Sequence, residues 1–585
     1  MRRGGVATCA RMVEGELLLL LGAHLILTAL PGVAATLCAA RLGVERVPVL
    51  LAIGLAATGA VAMLAFWSYY GARELGETFS YLVVFGSIAT IVACLWGGRI
   101  DRDLLRALAI PLGLWALGSA FLVFLGFLHG GSETALATAS TRFSGALPND
   151  NDIPNFYTEW FFLKGHSEPV AEYGGAWLFS DRPPLQVGYM LTQRGFGWDN
   201  HGLNYQLLGV ILQQLWIVAL WALLLAARVG RLTRGLVMAT VLVSDLAIVN
   251  GFFVWPKMLP AAMLIAAAAL VMTPLWDEVR RSLWGAVLVA ALLGLAMLGH
   301  GSSVFGVVPL AMIAAVRGLP SWRWIGVGAL VGIALMGSWS AYQKYEDPPG
   351  NRLTKWMLAG AVEVDDRGSL EAIADGYGEA GLGGTLHNKG QNFVTIAGGG
   401  PAAEIAERTI EEVGDGEVAQ PVRELRAMFF FYLLPSLGLL LIAPIAMALA
   451  RRRGRERPVE WRFALTCFFV FAVGSIAWAL ILFGSLPART VIHAGTYAIP
   501  ILGFCGAVVG LRATFPRFAV WFVAVNAALM LALYTPSLDP PPGTSYSALA
   551  ALLAAAGLAG FLATLWLEPR ASREPAPSPA LQAEG

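Results

Sequence analysis

The chain has 585 residues, 57% of them hydrophobic and 14% charged, with 40 basic and 39 acidic side chains and a formal net charge of +1. Soluble domains carry roughly 25% charged residues, so this composition excludes a soluble globular protein and specifies a polytopic membrane protein.

Apolar runs of about 20 residues cross a bilayer, and about 15 such runs occur along the chain. Four, near 16–38, 47–70, 79–97 and 105–128, precede a loop at 129–205. Six follow, near 206–227, 236–254, 259–275, 284–300, 303–317 and 324–342, and lead into a second loop at 343–426. The last five lie near 427–450, 463–483, 495–511, 518–534 and 546–567. The expected fold is all-α, a polytopic transmembrane helix bundle of about 13–15 spans with two external loops containing interfacial helices. Its expected divisions are additional N-terminal helices (1–104), a central module (105–345) bearing the loop 129–205, a second loop (346–426), C-terminal helices (427–567) and a tail (568–585). The Pro-, Ala- and Ser-rich tail reads as disordered. No cleavable signal peptide is expected, because the first run is long and no clear cleavage site follows it. Five cysteines at 9, 38, 94, 467 and 505 lie in or beside apolar segments without CxxC spacing, and read as small core residues.

Basic residues in short connections mark the cytoplasmic side. Arg228, Arg231 and Arg234, then Arg280 and Arg281, Arg317 and Arg323, Arg451 to Arg453, and Arg512 and Arg517 fall at alternating turns. The two long loops hold 8 and 15 acidic residues against 4 and 8 basic ones, and fall on the opposite face. The same counting places the N-terminus outside despite Arg2, Arg3 and Arg11, so either one early segment does not span or downstream charges override the rule.

Within the first loop, Asp150 and Asp152 stand between Pro148 and Pro154, which break any helix there. Two carboxylates so placed can act as a base with a hydrogen-bonded partner, or hold a divalent ion such as Mg or Mn. Residues 155–163 read as a short amphipathic helix on the membrane surface, its apolar stripe broken by Glu159. Asp181 and Arg182 precede a rigid Pro-Pro turn and could position a sugar hydroxyl or a phosphate. The plain alternative is a solvated acidic loop. Candidate cations lie at the external ends of spans: Lys257 after Trp255-Pro256, Arg489 and His493 in one turn, and His300 in Gly-His-Gly-Ser-Ser. Each also has a structural reading, Lys257 as a snorkelling anchor and the histidines as partners of backbone carbonyls. Asp245 falls inside a span, where a charge is costly unless it is paired or wet, and Lys257 is a conceivable partner. In the second loop, Asp347 to Arg352 and His387 to Asn392 read as turns able to cap a cleft, with Lys389 as a binding residue. Leu370–Tyr377 and Ala402–Val413 have helical spacing, and Trp356 and Met357 beside Lys355 read as an interfacial helix whose amine reaches outward.

A span, an external acidic loop, an interfacial helix and an Asp-Arg-Pro-Pro-Leu turn ahead of a multi-span bundle together resemble the GT-C class of integral-membrane glycosyltransferases. That class includes protein mannosyltransferases and aminoarabinose transferases, and the layout is also similar to the arabinofuranosyltransferase branch. The resemblance covers roughly residues 105–345, and topology alone beyond them. It implies transfer of a sugar, such as arabinofuranose, from a polyprenyl-phosphate carrier to a glycan, lipid or protein acceptor at the external face of the inner membrane. The class carries its catalytic acid in the first external loop, which falls here on Asp150 or Asp152. The chain departs from the class pattern by about three extra spans before the module and by acids about 20 residues beyond the preceding span. A cation on the donor phosphate then falls to Lys257, Arg489, His493 or His300.

Rival readings are an ion-coupled transporter and a membrane assembly or scaffold protein of envelope biogenesis. No phosphate-binding GxxxxGK[ST], no GxGxxG after a strand and no HExxH run is present, so a nucleotide-driven or zinc mechanism is disfavoured. Nucleic acid is not an expected partner.

Overall fold

A computed structural model describes residues 3–96, 100–143, 147, 149–174, 177–197, 202–397, 407, 411, 426, 435–453, 458, 460–484, 497–535 and 546–567. The N-terminal helices are α1 (Arg3–Arg41), α2 (Val47–Gly71), α3 (Arg73–Trp96) and α4 (Arg102–Gly126). The first loop carries α5 (Ala135–Thr141), α6 (Ile153–Lys164) and α7 (Leu185–Arg194). There follow α8 (Leu203–Gln213), α9 (Trp216–Ala226), α10 (Arg231–Leu242), α11 (Asp245–Phe253), α12 (Met258–Val271), α13 (Trp276–Val279), α14 (Leu283–Gly299), α15 (Val304–Arg317) and α16 (Trp322–Tyr345). The second loop holds α17 (Arg352–Ala359) and α18 (Ser369–Ala397), and the chain closes with α19 (Pro435–Arg452), α20 (Glu460–Ile481), α21 (Ala498–Thr514), α22 (Pro516–Tyr534) and α23 (Ala548–Thr564). No β-sheet occurs among the described residues; Tyr173 and Trp177 form one isolated bridge. The protein is an all-α, multi-pass integral membrane bundle.

Every described apolar run is helical, but their lengths differ. Among the described residues, eight helices are long and apolar enough to cross a bilayer, nine if α10 and α11, bent by 53°, count as one. Five shorter apolar helices, among them α12, α14 and α15, make up most of the difference from the expected 13–15 spans. α12 is buried in protein along its whole length, so it need not match the lipid thickness.

Contacts between connections sort them onto two faces. Ser547 N donates to Leu128 O at 2.9 Å, and Arg352 pairs with Asp181 at 3.0 Å, joining both long loops on one face, hereafter the loop face. On the other, the turn face, Trp276 Nε1 donates to Gly318 O at 3.1 Å, Arg231 Nε to Leu565 O at 3.3 Å and Arg41 Nε to Cys94 O at 2.9 Å.

The first loop packs into the bundle. α6 was expected on the membrane surface, yet its Ile153, Tyr157 and Phe161 are buried. Phe161 meets Phe66 of α2 at 5.2 Å and Phe179 at 4.7 Å, and Phe179 meets Trp339 and Tyr342 of α16 at 5.4 and 5.6 Å. Such aromatic contacts hold the loop against the ends of two spans. α7 reaches α2 at Gly188, where a Cβ would sit 2.1 Å from Ala62 O. α17 and α18 are helical as their spacing predicts, but Lys355 does not reach outward. It is buried and donates to the carbonyl oxygens of Asp365 and Arg367 at 2.6 and 3.3 Å and to the Asp365 carboxylate at 2.5 Å. The segment 402–413 lies almost wholly outside the described residues.

Candidate functional site

Asn149–Asp152 forms one 3-10 turn, and Pro154 follows in the first turn of α6, where a missing N–H is not missed. From that turn Asp150 points into the protein. Its Oδ2 accepts from Arg182 Nη2 at 2.8 Å, with both side chains about nine-tenths buried (10% and 8% exposed). Its Oδ1 has no hydrogen-bond partner among the described residues. Burial raises the Asp150 carboxyl above the ordinary carboxylate range, and the charges of Arg182 and then Lys257 oppose that rise.

Lys257 was expected at the external surface. It is instead buried, its Nζ lies 4.3 Å from the centroid of the Trp255 ring, and that amine has no hydrogen-bond partner among the described residues. His300 is near enough to Lys257 and Arg182 to be repelled by both when charged, and its Nδ1 accepts from Ser302 N at 3.2 Å and lies 2.8 Å from Ser302 Oγ. Asp150, Arg182, Lys257 and His300, separated by up to 150 positions in sequence, thus form one buried cluster. It sets one carboxylate against the Arg182 guanidinium, with Lys257 and His300 alongside, and burial disfavours the charged form of both.

A relay of side-chain hydrogen bonds builds the cluster's frame. Tyr205 OH donates to Asn151 O at 2.7 Å and accepts from Gln186 Nε2 at 3.0 Å. Gln186 Nε2 also donates to Val254 O at 3.1 Å, and Gln186 Oε1 accepts from Gln213 Nε2 at 3.0 Å. Gln213 Oε1 accepts from Met258 N and Leu259 N at 2.9 and 3.1 Å, which satisfies the orphan donors at the start of α12. Val254, at φ +55°, turns the chain between α11 and α12 just ahead of Lys257.

The second loop clamps the first. Asp181 pairs with Arg352 at 3.0 Å and also accepts from Leu178 N at 3.1 Å. Asp347 Oδ2 accepts from Ser180 N at 2.7 Å, and Gln343 Nε2 donates to Ser180 O at 2.9 Å. Arg182 and Arg352 both lie on the Trp177 ring, at 4.6 and 5.0 Å. Burial raises the carboxyls of Asp181 and Asp347 as well.

No family model, curated protein or solved structure matches this chain. Function must therefore be argued from the cluster itself.

The remaining expected residues lie elsewhere. Asp152 accepts from Asn155 Nδ2 at 2.8 Å and Tyr173 OH at 3.4 Å, away from Arg182. Glu159 forms a two-armed pair with Arg194 at 2.6 and 3.1 Å. Lys389 donates to Tyr377 OH at 2.7 Å and to the carbonyl of Leu482, tying α18 to the end of α20. Asp245 does not pair with Lys257; it begins α11 and its Oδ1 accepts from Leu246 N at 2.7 Å. Arg489 and His493 lie outside the described residues. The expectation of a Mg or Mn ion on Asp150 and Asp152 is overturned. Among the described residues no group of three or more His, Cys, Asp or Glu side chains could hold a metal, and the two carboxylates serve different partners. The sequence carries no sign of the roles of Arg194, Tyr205 and Gln213, and it places Arg352 in a turn of the second loop without its partner Asp181. Arg352 carried a signal, since it closes the Asp347-Pro-Pro-Gly-Asn-Arg turn; a lone glutamine in an apolar run such as Gln213 carried none beyond its polarity.

Proposed function

We propose that the protein is a membrane glycosyltransferase that moves a sugar from a polyprenyl-phosphate donor to an acceptor hydroxyl at the loop face. The observation that carries this reading is the buried juxtaposition of Asp150, one oxygen of which is held by Arg182, and Lys257; neither the other Asp150 oxygen nor the Lys257 amine has a hydrogen-bond partner among the described residues. Asp150 is the general base, taking the proton of the acceptor hydroxyl as that oxygen bonds to the anomeric carbon. The bond from that carbon to the phosphate oxygen breaks, and the lipid phosphate leaves with the electron pair. Lys257 and Arg182, preorganised in a site from which water is excluded, stabilise the charge growing on the leaving oxygen. His300 adds a donor on the same side. The loop face is the external face of the inner membrane, as the basic residues of the turn face favour. The transporter reading leans on Asp245, whose carboxylate accepts from a backbone N–H of its own helix, and so has less support.

The test is transfer from a panel of radiolabelled polyprenyl-phosphate sugars, pentofuranoses included, in membranes containing the full chain. Asp150→Asn should lower transfer by about 100-fold or more, and Lys257→Gln by a similar factor, while Asp152→Asn retains most activity. Absence of transfer from every donor by folded, inserted protein would refute the reading.

A further inference from the structure

A second feature lies away from the loop site. α1, α2, α3, α4 and the start of α9 enclose a cavity of about 260 Å³, lined by residues such as Leu37, Leu55, Ile91, Leu105, Trp115 and Leu215. Three threonines also line it, but none offers it an unsatisfied hydroxyl. Thr28 Oγ1 donates to His24 O at 2.7 Å, Thr36 Oγ1 to Leu50 O at 3.1 Å and Thr58 Oγ1 to Leu55 O at 2.9 Å. Tyr189 OH and Gln193 Nε2 further occupy Thr58 and Thr28, at 2.8 and 2.9 Å. A space so lined gives water too few partners. Apolar cavities of roughly 150 Å³ stay dry and take up small hydrocarbons.

The cavity has a direction. Its lining runs along α4 from Leu105 to Trp115, about 15 Å at the helical rise and thus about one leaflet of the hydrocarbon core. It starts at the turn face, where α1 and α3 end and α2 and α4 begin. α3 packs on α1 and α2, and α4 on α8, α9 and α23, while α3 and α4 barely touch. At the rim, Arg102 stands one turn before Leu105, while Arg41, one turn after Leu37, is committed through Nε and Nη2 to the carbonyl oxygens of Cys94 and Ala93 at the end of α3. A guanidinium at that level suits a phosphate.

We infer that this cavity holds one acyl chain of a membrane glycerophospholipid drawn from the turn-face leaflet, with the lipid's phosphate at Arg102. The site is distinct from the Asp150 cluster, which lies at the loop face, and does not depend on the proposed transferase activity. The lipid fills a void between the four N-terminal helices.

The test uses the full chain in vesicles containing phosphatidylglycerol with a diazirine at mid-acyl position, irradiated and mapped by peptide mass spectrometry. Adducts should form on Leu55, Leu108 and Leu215, which are 3%, 6% and 4% exposed and out of reach of bulk lipid. Outward-facing Leu82 and Phe85 should be labelled as well and serve as the internal reference. Filling the space from its wall with Ala109→Phe or Ala29→Phe should reduce the inner adducts at least tenfold relative to that reference. Adducts confined to outward-facing residues in the unaltered chain would overturn the inference without recourse to any variant. Labelling of the lining by a diazirine fatty acid but not by the phospholipid would overturn the assignment to a glycerophospholipid.

Discussion

At Asp150 two opposing effects meet on one carboxyl. Burial favours the neutral acid, the neighbouring Arg182 and Lys257 favour the carboxylate, and burial prevails. The sign of the pH dependence follows. Because the folded-state value lies above the unfolded one, the stability contributed by this group is present at low pH and is lost as pH rises through the folded value. Base strength is gained over the same window. The acid limb of a transfer profile should therefore sit above the ordinary Asp range, near 3.8. Arg182→Gln removes a cation that opposes the rise, so it should move that limb to still higher pH while lowering the maximum. A limb unchanged by Arg182→Gln would mean that another group titrates. The nearby Asp152 makes the contrast. It hydrogen-bonds Asn155 and Tyr173 instead of a cation, so Asp152→Asn should leave the limb in place.

Among the elements, the decisive one is the clamp between the end of α16 and the turn at Phe179–Asp181. Phe179 is wholly buried among rings from α2, α6 and α16. Phe179→Ala should cost about 3–5 kcal/mol in a detergent unfolding assay, the usual range for deleting a core aromatic. Asp347→Asn keeps the shape but weakens the acceptor for Ser180 N. It should raise hydrogen exchange at 177–183 and lower transfer, with little change in exchange at α12. Equal loosening of α12 would mean that Asp347 supports the bundle in general. The helices themselves were legible in the sequence, because an apolar run long enough to cross a bilayer has few alternatives. The burial of α6 was not. Its aromatic residues Phe156, Tyr157, Trp160 and Phe161 suit a membrane surface as well as a protein interior, and only Phe66 and Phe179, distant in sequence and packed on Phe161, decide between them. Lys257 was legible as a cation at a break but misplaced in depth. The Gln213 relay that draws the start of α12 inward joins four separated segments, and no local pattern encodes it.

At the scale of the whole molecule, the ion pair between Asp181 and Arg352 constrains the topology by parity. The two long loops meet, so an even number of crossings must separate them. Between 203 and 345 the helices long enough to span are α8–α9, the bent pair α10–α11, and α16. Three crossings would put the loops on opposite sides, which the ion pair forbids. An odd number of the short helices α12, α14 and α15 must therefore cross as well. The contacts favour all three. Lys257, before α12, and His300, after α14, both lie near enough to Arg182 on the loop face to be repelled by its charge, while Trp276 and Gly318 meet on the turn face. Short crossings are tolerable where protein rather than lipid surrounds the helix ends. The prediction is a labelling pattern in intact cells, using a membrane-impermeant maleimide on a chain stripped of its native cysteines. Leu370→Cys, on the loop face, should react from outside. Leu42→Cys and Leu319→Cys, both well exposed on the turn face, should react only after permeabilisation. Opposite behaviour of Leu42→Cys and Leu319→Cys would break the parity argument. If both react from outside and Leu370→Cys does not, parity survives but the Asp150 cluster faces the cytoplasm, and the externally facing transferase reading fails with it.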